Sequence, residues 1–287
     1  MNRRQRTIGR PVSLSGVGLF AGREATLRLE PAGENAGVVF RRVDLAGRPE
    51  VRALAEFAVG EEARTTTLRS GDACVRMVEH VLSAAHGLGV DNLTVEMDGE
   101  ETPAGDGSAL CYVELLRSAG IVEQDAERPA LRVDRPLFAS HGAASVAIAP
   151  WDGGLRVTYT MDYGRPVPSA RTVTVDITEE TYAERIAPAR TYVLRGEIAG
   201  FQRRGLGKGA SPDTVLIVED DGTIRRERRF EDELARHKIV DLLGDLFLAG
   251  VSLQGHVKAY RSGHALNLSL ARLAACAAGA GGGAAGR

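Results

Sequence analysis

The chain has 287 residues, 44% of them hydrophobic and 26% charged, a globular composition that excludes the disordered and fibrous classes. With 36 basic and 38 acidic residues the formal net charge is −2, so no overall basic field exists to hold a phosphate backbone, and nucleic-acid binding is not expected. The length is about twice the common ~150-residue domain, which predicts one large domain or two ordinary ones.

Three cysteines, Cys74, Cys111 and Cys276, are widely spaced and form no C-x-x-C pair. They make neither a disulfide framework nor a thiolate zinc site, so a transition metal would have to use histidine and carboxylate. The basic start, Met-Asn-Arg-Arg-Gln-Arg-Thr-Ile, is followed by no apolar stretch of signal-peptide length. No apolar run is long enough for a transmembrane helix either. A soluble cytoplasmic protein is expected.

In chain order, residues 25–30 alternate apolar and polar, the mark of a half-buried strand, and 38–43 form a second strand candidate. Residues 77–86 carry a helical stripe of Val78, Val81, Leu82 and Ala85, stopped by Gly87 and Gly89. A strand at 93–97 and a helix at 109–118 follow, the helix ending at Gly120. Residues 123–129 are polar and aperiodic and read as a linker. Strands are then expected at 131–134, 145–149, 155–161 and 171–176. Thr178 caps a helix through Ile186. Gly205-Leu-Gly-Lys-Gly209 is a loop, 214–218 a short strand, and Asp220-Asp-Gly222 a hairpin turn. The longest helical pattern covers 230–248, ends at Gly250 and gives way to a strand over 251–260. The Ala/Gly-rich tail from Ala274 is expected to fray.

The halves echo each other: a histidine early in a helix (His80, His237), a Gly-Val stop (Gly89-Val90, Gly250-Val251), then a strand. The echo marks either two related α+β domains or chance. If the domains are related, a site at their junction could draw ligands from both.

The sharpest local feature is His237-Lys-Ile-Val-Asp241. On a helix, i and i+4 lie about 40° apart, so imidazole and carboxylate share a face, as two metal ligands or as a solvated hydrogen-bonded pair. Asp245 sits beside the same stripe among leucines, and buried charge needs a partner. Glu79-His80 is the best source of a third ligand, with histidine holding a metal and glutamate taking a proton from water. Ser262-Gly-His264, between a strand and a helix, offers a general acid that Asp245 could hold protonated, or a helix-cap histidine. His86, His141 and His256 receive no role. No G-x-S-x-G elbow and no P-loop occur. Gly16-Val-Gly-Leu-Phe-Ala-Gly22 has one residue too many for a dinucleotide fingerprint and reads as a turn.

These residues carry a resemblance that covers nearly the whole chain. Arg6-Thr-Ile, Ser15-Gly-Val-Gly-Leu19, Val78-Glu-His-Val81, Gly87-Leu-Gly-Val-Asp-Asn92, Asp106-Gly-Ser108, Ala189-Arg-Thr191, Phe230-Glu-Asp-Glu-Leu-Ala-Arg-His-Lys238, Asp241-Leu-Leu-Gly-Asp-Leu246 and Ser262-Gly-His-Ala-Leu-Asn267 resemble the UDP-3-O-acyl-N-acetylglucosamine deacetylases of lipid A synthesis in Gram-negative bacteria. The resemblance implies an α+β fold of two related domains packed face to face, each with a small insertion. The expected division is 1–123, a linker at 124–130, 131–276, and a tail at 277–287, with the active site at the domain junction.

It also implies Zn2+, or alternatively Fe2+, held by His80, His237 and Asp241, with Glu79 as general base and His264 as general acid. Asp245 would be the partner of His264, and Lys238 and Thr191 would stabilise the oxyanion. The implied substrate is an acylated UDP-amino sugar, its chain in an apolar passage around residues 189–201 and its diphosphate met by basic residues. Three positions depart from the family pattern: Phe20 where histidine is usual, Tyr192 where phenylalanine is common, and Thr214 where asparagine is usual. They bear on substrate preference, and leave two alternatives: a deacetylase of another acylated amino sugar, or a non-catalytic sugar-nucleotide-binding protein.

Overall fold

Period-2 alternation in the first half builds a five-stranded sheet. Its order is β2 (Val12–Val17), β3 (Glu24–Pro31), β8 (Leu93–Met97), β4 (Val38–Arg42) and β5 (Glu50–Arg52). β8 pairs antiparallel with β3 and parallel with β4. The computed structural model describes residues 3–59, 64–164 and 168–282.

A second sheet is ordered β11 (Leu137–His141), β12 (Ala144–Ala149), β17 (Ser252–Tyr260), β13 (Leu155–Met161) and β14 (Arg171–Asp176). The short β10 (Ala130–Arg132) also pairs with β17. Here β17 pairs antiparallel with β12 and parallel with β13. The two sheets thus share one order and one sequence of strand senses. The echo between the halves is a repeat of topology.

The helices occupy matching places in this repeat. α1 (Glu79–Gly87) precedes β8 and α2 (Leu110–Ala119) follows it; α5 (Glu233–Phe247) precedes β17 and α6 (His264–Gly282) follows it. α1 packs on α5, α5 also on α6, β13 and β14, and α6 on β11 and β12. Contacts on several sides bury nearly every residue of α5, including Leu234, Leu242, Leu243 and Leu246, each such side chain being worth about 1.5–3 kcal/mol. Because helix meets helix at the centre, polar residues on α1 and α5 face one another across a dry interface.

Smaller elements flank these layers. A hairpin of β6 (Thr67–Ser70) and β7 (Ala73–Arg76) leads into α1. α3 (Glu179–Arg185) is capped by Thr178, whose Oγ1 accepts from the Thr181 amide at 3.1 Å. β15 (Tyr192–Leu194), α4 (Arg195–Arg203) and β16 (Leu216–Val218) form a β-α-β insertion with its two strands parallel.

Two local expectations change. Most of residues 123–129, read as a linker, belong to β9 (Ile121–Glu127), which pairs with β1 (Arg4–Ile8). The exposed, charged side chains hide a strand whose order comes from backbone pairing. Of the tail expected to fray from Ala274, residues 274–282 continue α6 and 283–287 lie outside the described residues.

Candidate metal centre and catalytic site

The site begins where two chain segments meet. Met77 adopts the left-handed backbone region (φ 57°) between β7 and α1, and its carbonyl accepts from Thr102 Oγ1 at 2.7 Å. Glu79 and His80 are therefore the first two residues of α1, both buried. On α5, His237 and Asp241 share one face. The helices approach closely because Gly244 has no side chain: a Cβ there would lie 2.1 Å from the Glu79 carbonyl oxygen.

One ligand atom each from His80, His237 and Asp241 lies within 4.8 Å of the others. Asp241 Oδ1 is 3.3 Å from His237 Nε2 and 3.9 Å from His80 Nε2. The Ala189 carbonyl is 3.1 Å from His237 Nδ1. Assigning the proton to Nδ1 satisfies that carbonyl and leaves the Nε2 lone pair facing Asp241.

Burial, reinforced by the neighbouring His237, lowers His80 to about 3. Burial also lowers His237, so both rings are neutral at pH 7. Burial pushes Asp241 up, but Lys238, His237, His264 and His80 together hold it well below the ordinary carboxylate range. Lys238 Nζ sits 2.8 Å from its Oδ2. Two neutral imidazoles and an ionised carboxylate converging in this way have the donor set a divalent metal needs.

Beside these three, Glu79 accepts from Thr65 Oγ1 at 2.9 Å and from the Thr66 amide at 3.0 Å. Burial lifts its carboxyl to about 7, with the His264 cation opposing and Asp241 and Asp245 adding to the rise. His264, at the start of α6, has Nδ1 2.8 Å from Asp245 Oδ2. Burial alone would lower this imidazole, but the Asp245 charge and hydrogen bond outweigh it and hold His264 at about 10. Asp245 also accepts from Thr66 Oγ1 at 2.5 Å and from Asn267 Nδ2 at 2.9 Å. A carboxyl near neutrality and a protonated histidine therefore flank the three candidate ligand atoms, a division suited to acid–base catalysis.

Glu79, His80, Thr191, His237, Lys238 and Asp241 all line one cleft of about 360 Å³. Thr191 is anchored through its backbone, its amide donating to Gly107 O at 2.7 Å and its carbonyl accepting from Leu216 at 2.9 Å. The cleft runs outward between apolar residues of the insertion, Val193, Ile198, Phe201 and Ile217 among them. A second cavity of about 330 Å³ shares Arg64, Tyr192 and Lys238 with it and reaches Arg261 and His264.

Of the departures, Phe20 and Tyr192 line the cleft. Tyr192 takes a 2.9 Å hydrogen bond from Tyr163. Thr214 does not line the cleft and accepts from the Ser211 amide at 2.9 Å. His86 lies against Leu243 O at 2.8 Å, His256 bonds Thr158 on the sheet, and His141 is exposed; none reaches the site.

Several participants were not read from the sequence: Thr65, Thr66, Asn267, the Ala189 carbonyl, and the buried pair of Arg190 Nε and Glu233 Oε1 at 2.8 Å. The Thr65-Thr66-Thr67 run is the only sequence signal for the threonines, and nothing in it singles out Glu79 or Asp245 as partners.

The fold and this site define a class: an α+β protein with a buried cluster of two histidines and one carboxylate, a neighbouring buried glutamate and an aspartate-held histidine, the equipment of a metal-dependent hydrolase. Residues 5–275 match the family described as LpxC, UDP-3-O-acyl N-acetylglycosamine deacetylase, and the chain belongs to that family. Similar proteins include the UDP-3-O-acyl-N-acetylglucosamine deacetylase of Saccharophagus degradans, 41% identical over 92% of this chain and 88% of its own length. Those of Pseudomonas entomophila and Chlamydia pneumoniae are each 39% identical, covering 94% and 95% of this chain and 89% and 97% of their own lengths. Among the described residues no helix is long and apolar enough to cross a membrane.

Proposed function

We propose that this chain hydrolyses the acetamide of UDP-3-O-acyl-N-acetylglucosamine, giving UDP-3-O-acyl-glucosamine and acetate, as a zinc-dependent step of lipid A biosynthesis. The observation that carries the reading is the meeting of His80, His237 and Asp241 with a carboxyl near neutrality at the head of an apolar cleft, and a protonated histidine on the adjoining cavity. Family membership and the printed names of the relatives support it.

Zinc, or iron(II), held by His80, His237 and Asp241 would supply Lewis acidity toward the acetamide carbonyl and the attacking water. Glu79 accepts the proton of that water. Lys238 and Thr191, which border the cleft beside Asp241, donate to the oxygen on which negative charge develops. His264, kept charged by Asp245, gives a proton to the leaving amine. The acyl chain lies along the insertion. The diphosphate lies toward the second cavity, whose lining holds the guanidiniums of Arg64 and Arg261, ion-paired with Glu197 and Asp162.

The same proposal takes the chain as two related units that divide between β9 and β10, and a cytoplasmic setting. The repeated sheet order supports the first, and three free cysteines the second.

The test is acetate release after chelation and after return of zinc or iron(II), with metal content measured alongside. Loss on chelation, recovery with one of the two metals and one ion per chain are expected. Undiminished release from metal-free protein would remove the reading.

A further inference from the structure

Glu101 is buried, and the proposed reaction does not use it. Its two carboxylate oxygens each take one backbone amide from the same loop: Phe20 N to Oε1 at 2.7 Å and Ala21 N to Oε2 at 2.8 Å. The fit leaves no room for a side chain at Gly18, where a Cβ would lie 2.6 Å from Oε2. The far side of the loop is also held. Lys208 N donates to Phe20 O and Gly209 N to Leu19 O, both at 3.1 Å, which joins the loop to the segment after α4. A Cβ at Gly209 would lie 2.1 Å from Gly18 O. Phe20 is thereby presented to the cleft, its ring centroid 6.3 Å from that of Phe201 on α4. Leu19, Met77, Ala104 and Val215 pack beneath as a separate apolar cluster, with Phe20 and Val193 against it.

We propose that Glu101 is a positioning residue for the acyl end of the substrate. By fixing the 18–22 loop it holds Phe20 against Phe201 and so sets the cleft wall that decides which acyl lengths fit. The inference rests on the deacetylase reading and adds a specificity determinant to it. The physical argument is one of rigidity. A loop held only by packing would let an aromatic wall yield to any chain, whereas two charge-assisted hydrogen bonds to successive amides fix its backbone. An extra methylene then meets a wall that cannot retreat.

The experiment compares the metal-loaded full chain with Glu101→Gln, Phe20→Ala and the double variant on UDP-3-O-acyl-N-acetylglucosamines of graded acyl length. Glutamine keeps the shape but offers only one acceptor oxygen. Both single variants should raise KM for the preferred length about tenfold with kcat within about threefold, and shift the long-to-short kcat/KM ratio in the same direction. The double variant should be no further shifted than Phe20→Ala, because Glu101 acts through Phe20. Gly209→Ala, which pushes the same loop from its other side, should move the ratio too, and serves if Glu101→Gln does not fold. An unchanged ratio in the folded variants, or an equal loss of kcat at every length, overturns the proposal while the deacetylase reading stands. Wild-type protein that releases acetate from no chain length overturns both.

Discussion

The buried imidazole of His264 and carboxylate of Asp245 meet at 2.8 Å, with Thr66 and Asn267 completing the shell around the carboxylate. The His264 pKa of about 10 lies above its ordinary value of 6.5, so the folded protein binds this proton more tightly than the unfolded chain does. Below pH 6.5 both states carry it and the stabilisation is complete. As pH rises toward about 10 only the folded state keeps the proton, so stability falls across that window. Urea unfolding of the metal-free protein from pH 6 to 10 should show this decline, and Asp245→Asn should flatten it. An equal slope in the variant would assign the decline to other groups.

Glu79 contacts Thr65 and Thr66 and stands outside the group of three candidate ligand atoms. Glu79→Gln should therefore retain its metal while kcat falls by about 10²–10⁴, the usual worth of a positioned base, with KM little changed. Loss of metal from this variant would make Glu79 a ligand, and an unchanged kcat would remove it as the base.

The Arg190–Glu233 pair acts at one remove. Both side chains are buried, and Glu233 also accepts from the Arg190 and Arg229 amides. Arg190 stands between Ala189, whose carbonyl meets His237 Nδ1, and Thr191. Glu233→Gln leaves a buried guanidinium without its counter-charge, a loss of about 3–5 kcal/mol. Released from its anchor, the 189–191 segment should hold His237 less well and weaken metal affinity about 10–100-fold. Thermal unfolding and competition with a metal-binding dye would check the two effects. Unaltered metal affinity in the destabilised variant would confine the pair to stability.

Gly244→Ala has an expected sign opposite to the usual one. In an exposed helix interior, alanine in place of glycine stabilises by roughly 0.5–1 kcal/mol. Here the new methyl would lie 2.1 Å from Glu79 O, so α1 and α5 must separate. Destabilisation of about 1–3 kcal/mol from overpacking, together with lost activity, is expected in denaturant titrations and acetate assays. A stabilised, fully active variant would show that the helices have slack.

The i,i+4 spacing of His237 and Asp241 and the adjacency of Glu79 and His80 are properties of helices, and local periodicity settles which face such residues occupy before any packing occurs. The repeated helix, Gly-Val stop and strand were legible for the same reason, since glycine and the change of hydrophobic period act over a few residues. What covers a side chain, and so its charge, is decided by elements distant in the chain. Glu79 is lifted toward neutrality by burial under elements distant in the chain, with Asp241 and Asp245 adding to the rise. His264 keeps its proton because the fold brings Asp245, and with it Asp241 and Glu79, close enough to outweigh burial. Glu101 shows the limit most plainly. Its partners are backbone amides, which every residue but proline carries, so no side-chain pattern could announce them. Helical geometry sets His237 and Asp241 on one face; the meeting with His80, the protonation states and the cleft wall follow from packing and burial, which are properties of the whole fold.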